Sequence, residues 1–180
     1  MTLAAERSTG IAAPAPKIII GVSDAGVSSN PADVLATYSL GSCIGVAAYD
    51  RRRGIAAMLH FQLPTGAADP ERARARPLMF ADTGMAWLMA SMRSLGTTSP
   101  QDVSVTIAGG AQMLNDCQIF DIGRRNHASI RKVLWKHQLL IENEDVGGAL
   151  PRTMFLDAAD GTVTIKSQAS TNRFTPGGSR

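Results

Sequence analysis

Residues 37–64 read TYSLGSCIGVAAYDRRRGIAAMLHFQLP, and the fold turns on how this stretch is arranged. A small-residue turn, Leu40-Gly41-Ser42-Cys43, opens into an alternating run, Ile44-Gly45-Val46-Ala47-Ala48-Tyr49. The polar segment Asp50-Arg51-Arg52-Arg53 interrupts it, and a second apolar run follows, Gly54-Ile55-Ala56-Ala57-Met58-Leu59-His60-Phe61. Two apolar runs of strand length around a polar turn predict a β-hairpin. With residues 50–53 as its loop, Tyr49 faces Gly54 and Cys43 stands directly opposite His60. Directly opposed residues hold their Cβ atoms about 4.5–5.5 Å apart, close enough for a thiol and an imidazole to meet. A one-residue change in loop length would turn His60 to the other face.

The pair matters because a thiolate, not a thiol, is the nucleophile. An adjacent imidazole can take the thiol proton, stabilise the thiolate as imidazolium and later protonate a leaving amine. Gly41 permits a tight turn with close backbone approach. The amides around Ser42 and Cys43 are placed to donate to the oxyanion formed when an amide carbonyl is attacked. Thr37 lies just upstream, where its hydroxyl or its carbonyl could orient the histidine; Asp145 is the rival for that role. The competing reading is bland: a small buried cysteine packed beside a hydrogen-bonded core histidine. Spacing alone does not separate the two.

The residues around the pair do. Leu40-Gly41-Ser42-Cys43, a short hydrophobic strand, a charged turn and a strand ending in His60-Phe61-x-Leu63-Pro64 together resemble the chemoreceptor glutamine deamidase family, CheD. Four further blocks are similar to that family's, in its order: Phe80-Ala81-Asp82 opening an apolar helix, Ala108-Gly109-Gly110-Ala111, Ile122-Gly123-Arg124-Arg125-Asn126 and Glu144-Asp145-Val146-Gly147-Gly148. The resemblance runs from about Ile18 to Lys166. It implies a layered α/β sandwich, related to deamidating bacterial toxins, and a catalytic set of Cys43, His60 and Thr37. It also implies hydrolysis of glutamine side-chain amides on chemoreceptor cytoplasmic domains, through a cysteine thioester and without metal or organic cofactor, in chemotaxis adaptation. A CheC-type phosphatase is a further partner the resemblance suggests. One departure stands out: the segment after Gly147-Gly148 commonly carries Gly-Arg in that family and here reads Ala149-Leu150-Pro151-Arg152. Proline fixes φ and removes a donor, so loop shape and substrate preference can differ. Two other functions stay open: a transglutaminase-like acyl transfer that shares the thioester, and a non-catalytic regulatory binding module.

Composition narrows the class. At 180 residues the chain fits one domain with a proper core, and 44% hydrophobic residues is ordinary for a globular protein. No apolar run is long enough to span a bilayer, and residues 1–16 lack the pattern of a secretory signal. Two cysteines, Cys43 and Cys117, make no disulfide framework, so a reducing cytoplasm is expected. A formal charge of +3 is too mild to argue for nucleic acid, and aromatic residues are not interleaved with the basic ones. The basic clusters at 51–53, 72–76, 124–125 and 131–132 read as solvated surface, or as a field steering an acidic protein partner.

Along the chain, residues 1–16 read as a disordered lead-in, 17–166 as a single domain and 167–180 as a flexible tail. Strands are expected over 17–22, 34–40, 103–108 and 139–143, and a loop from Ser23 to Pro31. A helix is expected from Pro77 to about Leu95, with Leu78, Ala81, Met85, Leu88, Met89 and Met92 at helical spacing and Gly96 ending it. Asp82 reads as an early-helix acid. Gly109-Gly110 suggests close backbone packing near the site, since no P-loop lysine follows. Asn126 is expected to cap a helix running to about His137. His127 and His137 lack metal-ligand spacing, and Cys117 reads as a structural thiol. Asp160-Gly161 marks a final hairpin between 152–156 and 162–166. Several strands with two clear helices give an α/β sandwich, helices packed on mixed, mostly antiparallel sheet.

Overall fold

The computed structural model of the chain describes residues 17–112 and 121–177. Cys117 and residues 1–16 lie outside the described residues. In chain order the elements are β1 (Lys17–Ile20), β2 (Asp24–Ser28), β3 (Val34–Leu40), β4 (Ile44–Asp50), β5 (Ile55–Phe61), α1 (Pro70–Ala75) and α2 (Ala81–Ser94). There follow β6 (Val103–Gly109), α3 (Ile122–Lys136), β7 (Ile141–Val146), β8 (Arg152–Asp157), β9 (Val163–Lys166) and β10 (Thr171–Phe174).

The strands make two five-stranded sheets, ordered β1-β3-β8-β9-β10 and β2-β5-β4-β6-β7. Each has one parallel pair, β1 with β3 and β6 with β7, and is otherwise antiparallel. The layered α/β sandwich is therefore present, as a helix layer on one sheet and a second sheet behind it. Alternation along β4 and β5 explains the layers. Ile44, Val46 and Ala48 with Ile55, Ala57, Leu59 and Phe61 face the helices, where Met85, Leu88 and Met92 of α2 and Ile130 and Leu134 of α3 cover them. Ala47 and Tyr49 with Ala56 and Met58 face the other way, against Leu35, Met154, Leu156 and Ile165 of the second sheet. Every residue of β4 and β5 is buried, which is why the hairpin reads as apolar throughout.

The hairpin forms, but its register differs from the expected one. Gly45 pairs with His60 and Tyr49 with Ala56, so the loop is 51–54 rather than 50–53. Asp50 causes the slip. Its carboxylate accepts from the amides of Arg52 and Arg53, each at 3.0 Å, and its carbonyl accepts from Gly54 at 2.9 Å. Asp50 thus ends the strand, and Gly54 closes the turn at φ +64°, where a side chain would be strained. Cys43 loses its place directly opposite His60 and becomes its diagonal neighbour. Because the pairing slips by two residues, both side chains keep the same face.

Other expectations are also corrected. Asp24–Ser28, expected within a loop, is edge strand β2 on β5. Residues 70–75 form the short helix α1, capped by the Asp69 side chain on the Arg72 amide, and a single 3₁₀ turn at Pro77–Met79 separates it from α2. The strand expected over 139–143 is β7, Ile141–Val146, and so takes in Glu144, Asp145 and Val146. Thr171–Phe174 pairs with β9, so the sheet extends into the stretch read as a tail.

Candidate active site

β3 and β4 belong to different sheets, and the link between them carries Cys43 across. β3 is interrupted between Thr37 and Leu40, where its pairing to β8 shifts and Ser39 adopts φ +57°. Leu40 then turns fully inward, and Gly41-Ser42-Cys43 crosses to the start of β4. The crossing stacks Thr37 of one sheet over His60 of the other. Gly45, the direct partner of His60, leaves room for the inward Leu40 side chain; a Cβ there would lie 2.9 Å from Leu40 Cδ1.

Thr37 and His60 are both buried, at 0% and 1% exposure. The Thr37 hydroxyl donates to the Ile20 carbonyl at 2.8 Å, and its oxygen lies 2.8 Å from His60 Nδ1. Its one proton is committed to Ile20, so it accepts from an Nδ1–H. That fixes the tautomer: Nε2 carries the lone pair. Nε2 is buried with no hydrogen-bond partner, a costly arrangement that marks a functional position. The hydroxyl of Thr37, not its carbonyl, orients the ring. Asp145 does not: its carboxylate binds Arg152 at 3.0 and 3.1 Å and Asn172 at 2.9 Å.

Cys43 is half-buried and packs at the edge of the inter-sheet core, on the His60 face. Burial pushes its thiol up from the usual cysteine value, partly offset by its own backbone amide. Burial pushes His60 down to about 4, opposed weakly by Asp24, its neighbour on β2. The resting pair at neutral pH is therefore a neutral thiol and a neutral imidazole. A preformed thiolate–imidazolium pair, one expectation from sequence, is disfavoured by the same burial. The geometry suits a general base that takes the thiol proton as sulfur attacks.

The turn is held from behind. Gly110 N–H donates to the Cys43 carbonyl and Ala111 N–H to the Gly41 carbonyl, both at 2.8 Å. Gly109 sits at φ +112°, and a Cβ on it would collide with the Cys43 carbonyl oxygen. The expected close packing of Gly109-Gly110 is thus against the Gly41–Cys43 turn itself. The amides of Ser42 and Cys43 find no hydrogen-bond partner from another residue among the described residues, which leaves them available to an oxyanion. Next to this cradle, Gly147 N–H donates to the Gly109 carbonyl at 2.9 Å and Gln112 N–H to the Gly148 carbonyl at 2.8 Å. Arg152 ties the 147–152 loop together through the carbonyls of Gly147 and Leu150, so the Pro151 segment borders the site.

Asp82 is occupied elsewhere, accepting from Thr65 Oγ1 at 2.7 Å and Gly66 N at 3.0 Å, where it shapes the loop after β5. Among the described residues no cluster of His, Cys, Asp and Glu is arranged to hold a metal ion. His127 bonds Glu144 at 3.1 Å. A mostly apolar groove lined by Leu63, Pro64, Phe80 and Ile122, together with Asp69, Arg72 and Arg125, begins three residues beyond His60.

Sequence reasoning misplaced one residue of the site. Asn126 lies inside α3, whose first residue follows Asp121, and is wholly buried with Nδ2 3.0 Å from the Ser42 carbonyl and 2.7 Å from that of Gln62. The signal was its spacing: Asn126, Ile130 and Leu134 share one helix face, so a polar group stands on the apolar stripe.

Comparison with known proteins identifies the family. The family described as CheD chemotactic sensory transduction matches residues 62–167. A relative from Solibacter usitatus, named probable chemoreceptor glutamine deamidase CheD, is 41% identical over 89% of this chain and 94% of its own length. One from Syntrophus aciditrophicus, named probable chemoreceptor glutamine deamidase CheD 1, is 42% identical over 83% of this chain and 93% of its own. Among solved structures, the Bacillus licheniformis hypothetical protein YfiH aligns with 70% of this chain and 51% of its own at a TM-score of 0.42 and 16% identity, too distant to bear on the site. Family match and relatives together identify the chain as a member of the CheD family.

Proposed function

We propose that this chain is a protein-glutamine deamidase acting on the cytoplasmic domains of chemoreceptors, with Cys43 as nucleophile, His60 as general base and acid, and Thr37 as the group that orients His60. The observation that carries the reading is the buried, unpartnered Nε2 of a histidine whose Nδ1 is held by Thr37, on the face that bears a half-buried thiol. The deamidase names of relatives that align over most of both chains support the substrate class.

In the first half-reaction Cys43 Sγ attacks the carboxamide carbon of a glutamine while His60 Nε2 takes the thiol proton. The negative charge moves onto the carboxamide oxygen, opposite the Ser42 and Cys43 amides. Collapse breaks the C–N bond, and the proton on Nε2 leaves with the nitrogen as ammonia. A γ-glutamyl thioester remains. In the second half, water gives a proton to Nε2 and its oxygen to the thioester carbon. The C–S bond then breaks, Sγ recovers the proton, and glutamate is released. No metal or redox partner enters the balance. Transfer to an amine would follow the same first half, and deamidation is favoured here on the relatives' names alone. The mostly apolar groove beyond β5 supports a macromolecular substrate. A CheC-type phosphatase as regulatory partner rests on the family resemblance.

The test is peptide mass spectrometry of a receptor cytoplasmic fragment incubated with the protein and with Cys43→Ala. A gain of about one dalton at particular glutamines, the difference between amide and acid, is expected with the wild type alone. No gain with any receptor of the same cell would overturn the deamidase reading and leave a regulatory binding module.

A further inference from the structure

Asn126 is an odd residue for its place. It stands in the interior of α3, where asparagine is a poor helix former, and it is fully buried on the apolar face. Both hydrogens of its Nδ2 are used, one on the Ser42 carbonyl and one on the Gln62 carbonyl. This fixes the orientation of the amide, because the flipped one would set Oδ1 against two carbonyl oxygens. Oδ1 is left buried with no partner. A side chain serving stability alone gains nothing from such an orphan.

The two carbonyls it holds belong to the segments that matter. Ser42 precedes the nucleophile, and Gln62 lies two residues beyond His60. In a trans peptide the C=O and the following N–H point in opposite directions. Tethering the Ser42 carbonyl to α3 therefore turns the Cys43 N–H away from the helix. That N–H has no partner from another residue among the described residues. The helix cannot drift from its post, since Gly123 packs against the carbonyls of Gly110 and Ala111 without room for a Cβ, and Gly110 in turn holds the Cys43 carbonyl.

We propose that Asn126 is a positioning residue for the oxyanion donor: through the Ser42 carbonyl it sets the plane of the Ser42–Cys43 peptide so that the Cys43 N–H meets the developing oxyanion. The inference rests on the deamidase reading for its substrate but not for its test. Asn126→Asp keeps the shape and loses the donors, and Asn126→Ala removes the group. Three readouts are compared with the wild type and with Met92→Ala, a core variant outside the site that serves as the stability control.

On the receptor fragment, kcat falls about 30- to 300-fold with KM within about threefold, the size expected when an oxyanion donor is misplaced. Alkylation of Cys43 by iodoacetamide, a displacement with no oxyanion, stays within about threefold and keeps its pH midpoint. A peptide carrying glutamate γ-semialdehyde adds the thiol across its C=O: the S–C bond forms, the π bond opens, and the thiol proton ends on oxygen. That oxygen occupies the proposed site, and the adduct weakens in step with kcat. Met92→Ala loses stability without these effects. An unchanged kcat, or alkylation falling in proportion to kcat, overturns the proposal in favour of a structural role. A wild type that leaves the receptor unmodified sinks the deamidase reading instead, and the aldehyde comparison still decides the role of Asn126. Should Asn126→Ala fail to fold, Asn126→Asp supplies the same three numbers.

Discussion

Protonating His60 should cost the fold stability between pH 7 and pH 4. The ring is 1% exposed, and burial lowers its pKa from 6.5 to about 4. In the unfolded chain it takes a proton as pH falls through about 6.5, while the native ring stays neutral. The unfolded state then binds more protons than the native one, so stability rises with pH across this window. The contribution is fully present above pH 6.5 and is lost as pH falls through about 4. An interval of about two and a half pH units corresponds to roughly 3 kcal/mol, or a melting shift of about 6–12 °C for a chain of this size. The assay is urea unfolding of the wild type and of His60→Gln from pH 7.5 to 4.0. The two proteins differ only at residue 60, so contributions from other groups cancel in the difference. The wild type should lose about 3 kcal/mol more than the variant over that range. Parallel profiles, or an NMR titration of His60 centred near 6.5, would refute the claim that His60 is held neutral by burial.

Thr37→Val should strand His60 Nδ1–H without a partner and remove the hydroxyl bond to the Ile20 carbonyl, lowering stability by about 1–3 kcal/mol in urea unfolding. It should also cut the deamidation rate well beyond that of Thr37→Ser, which keeps the hydroxyl; equal rates in the two variants would remove Thr37 from the mechanism. Gly109→Ala forces a side chain into φ +112° and onto the Cys43 carbonyl, so it should cost at least about 1–3 kcal/mol and alter the iodoacetamide rate of Cys43. A fully reactive, fully stable Gly109→Ala protein would mean that the glycine cradle does not shape the Cys43 turn.

Much of the site was legible because it lies on one hairpin. Uninterrupted apolar runs gave β4 and β5, and the parity of a strand kept Cys43 and His60 on one face even with the pairing misjudged by two. The misjudgement came from the Asp50 side chain, whose two bonds to the turn decide where the strand ends. The Thr37–His60 contact joins two sheets, and no local pattern encodes how one sheet lies over another; the family blocks supplied it. Strand β2 escaped notice because Asp24-Ala25-Gly26-Val27-Ser28 is polar and small. It is a strand through its pairing with β5, and Gly26 fits because a Cβ would lie 2.7 Å from Ile20 Cδ1. Asn126 was readable as a polar group on an apolar helix face. Its residue type before the apolar Ile130 and Leu134 instead suggested a helix cap, a role that depends on where the first hydrogen bonds form and not on residue type alone.

The central claim is that Cys43 carries the acyl group, and the measurement closest to it is an acid quench during turnover followed by peptide mapping of the enzyme. The Cys43 peptide should be heavier by the mass of a glutamine-containing substrate less one ammonia, and free of label after hydroxylamine. Product glutamate accumulating while that peptide stays unmodified, or label found on another residue, would contradict the thioester route through Cys43.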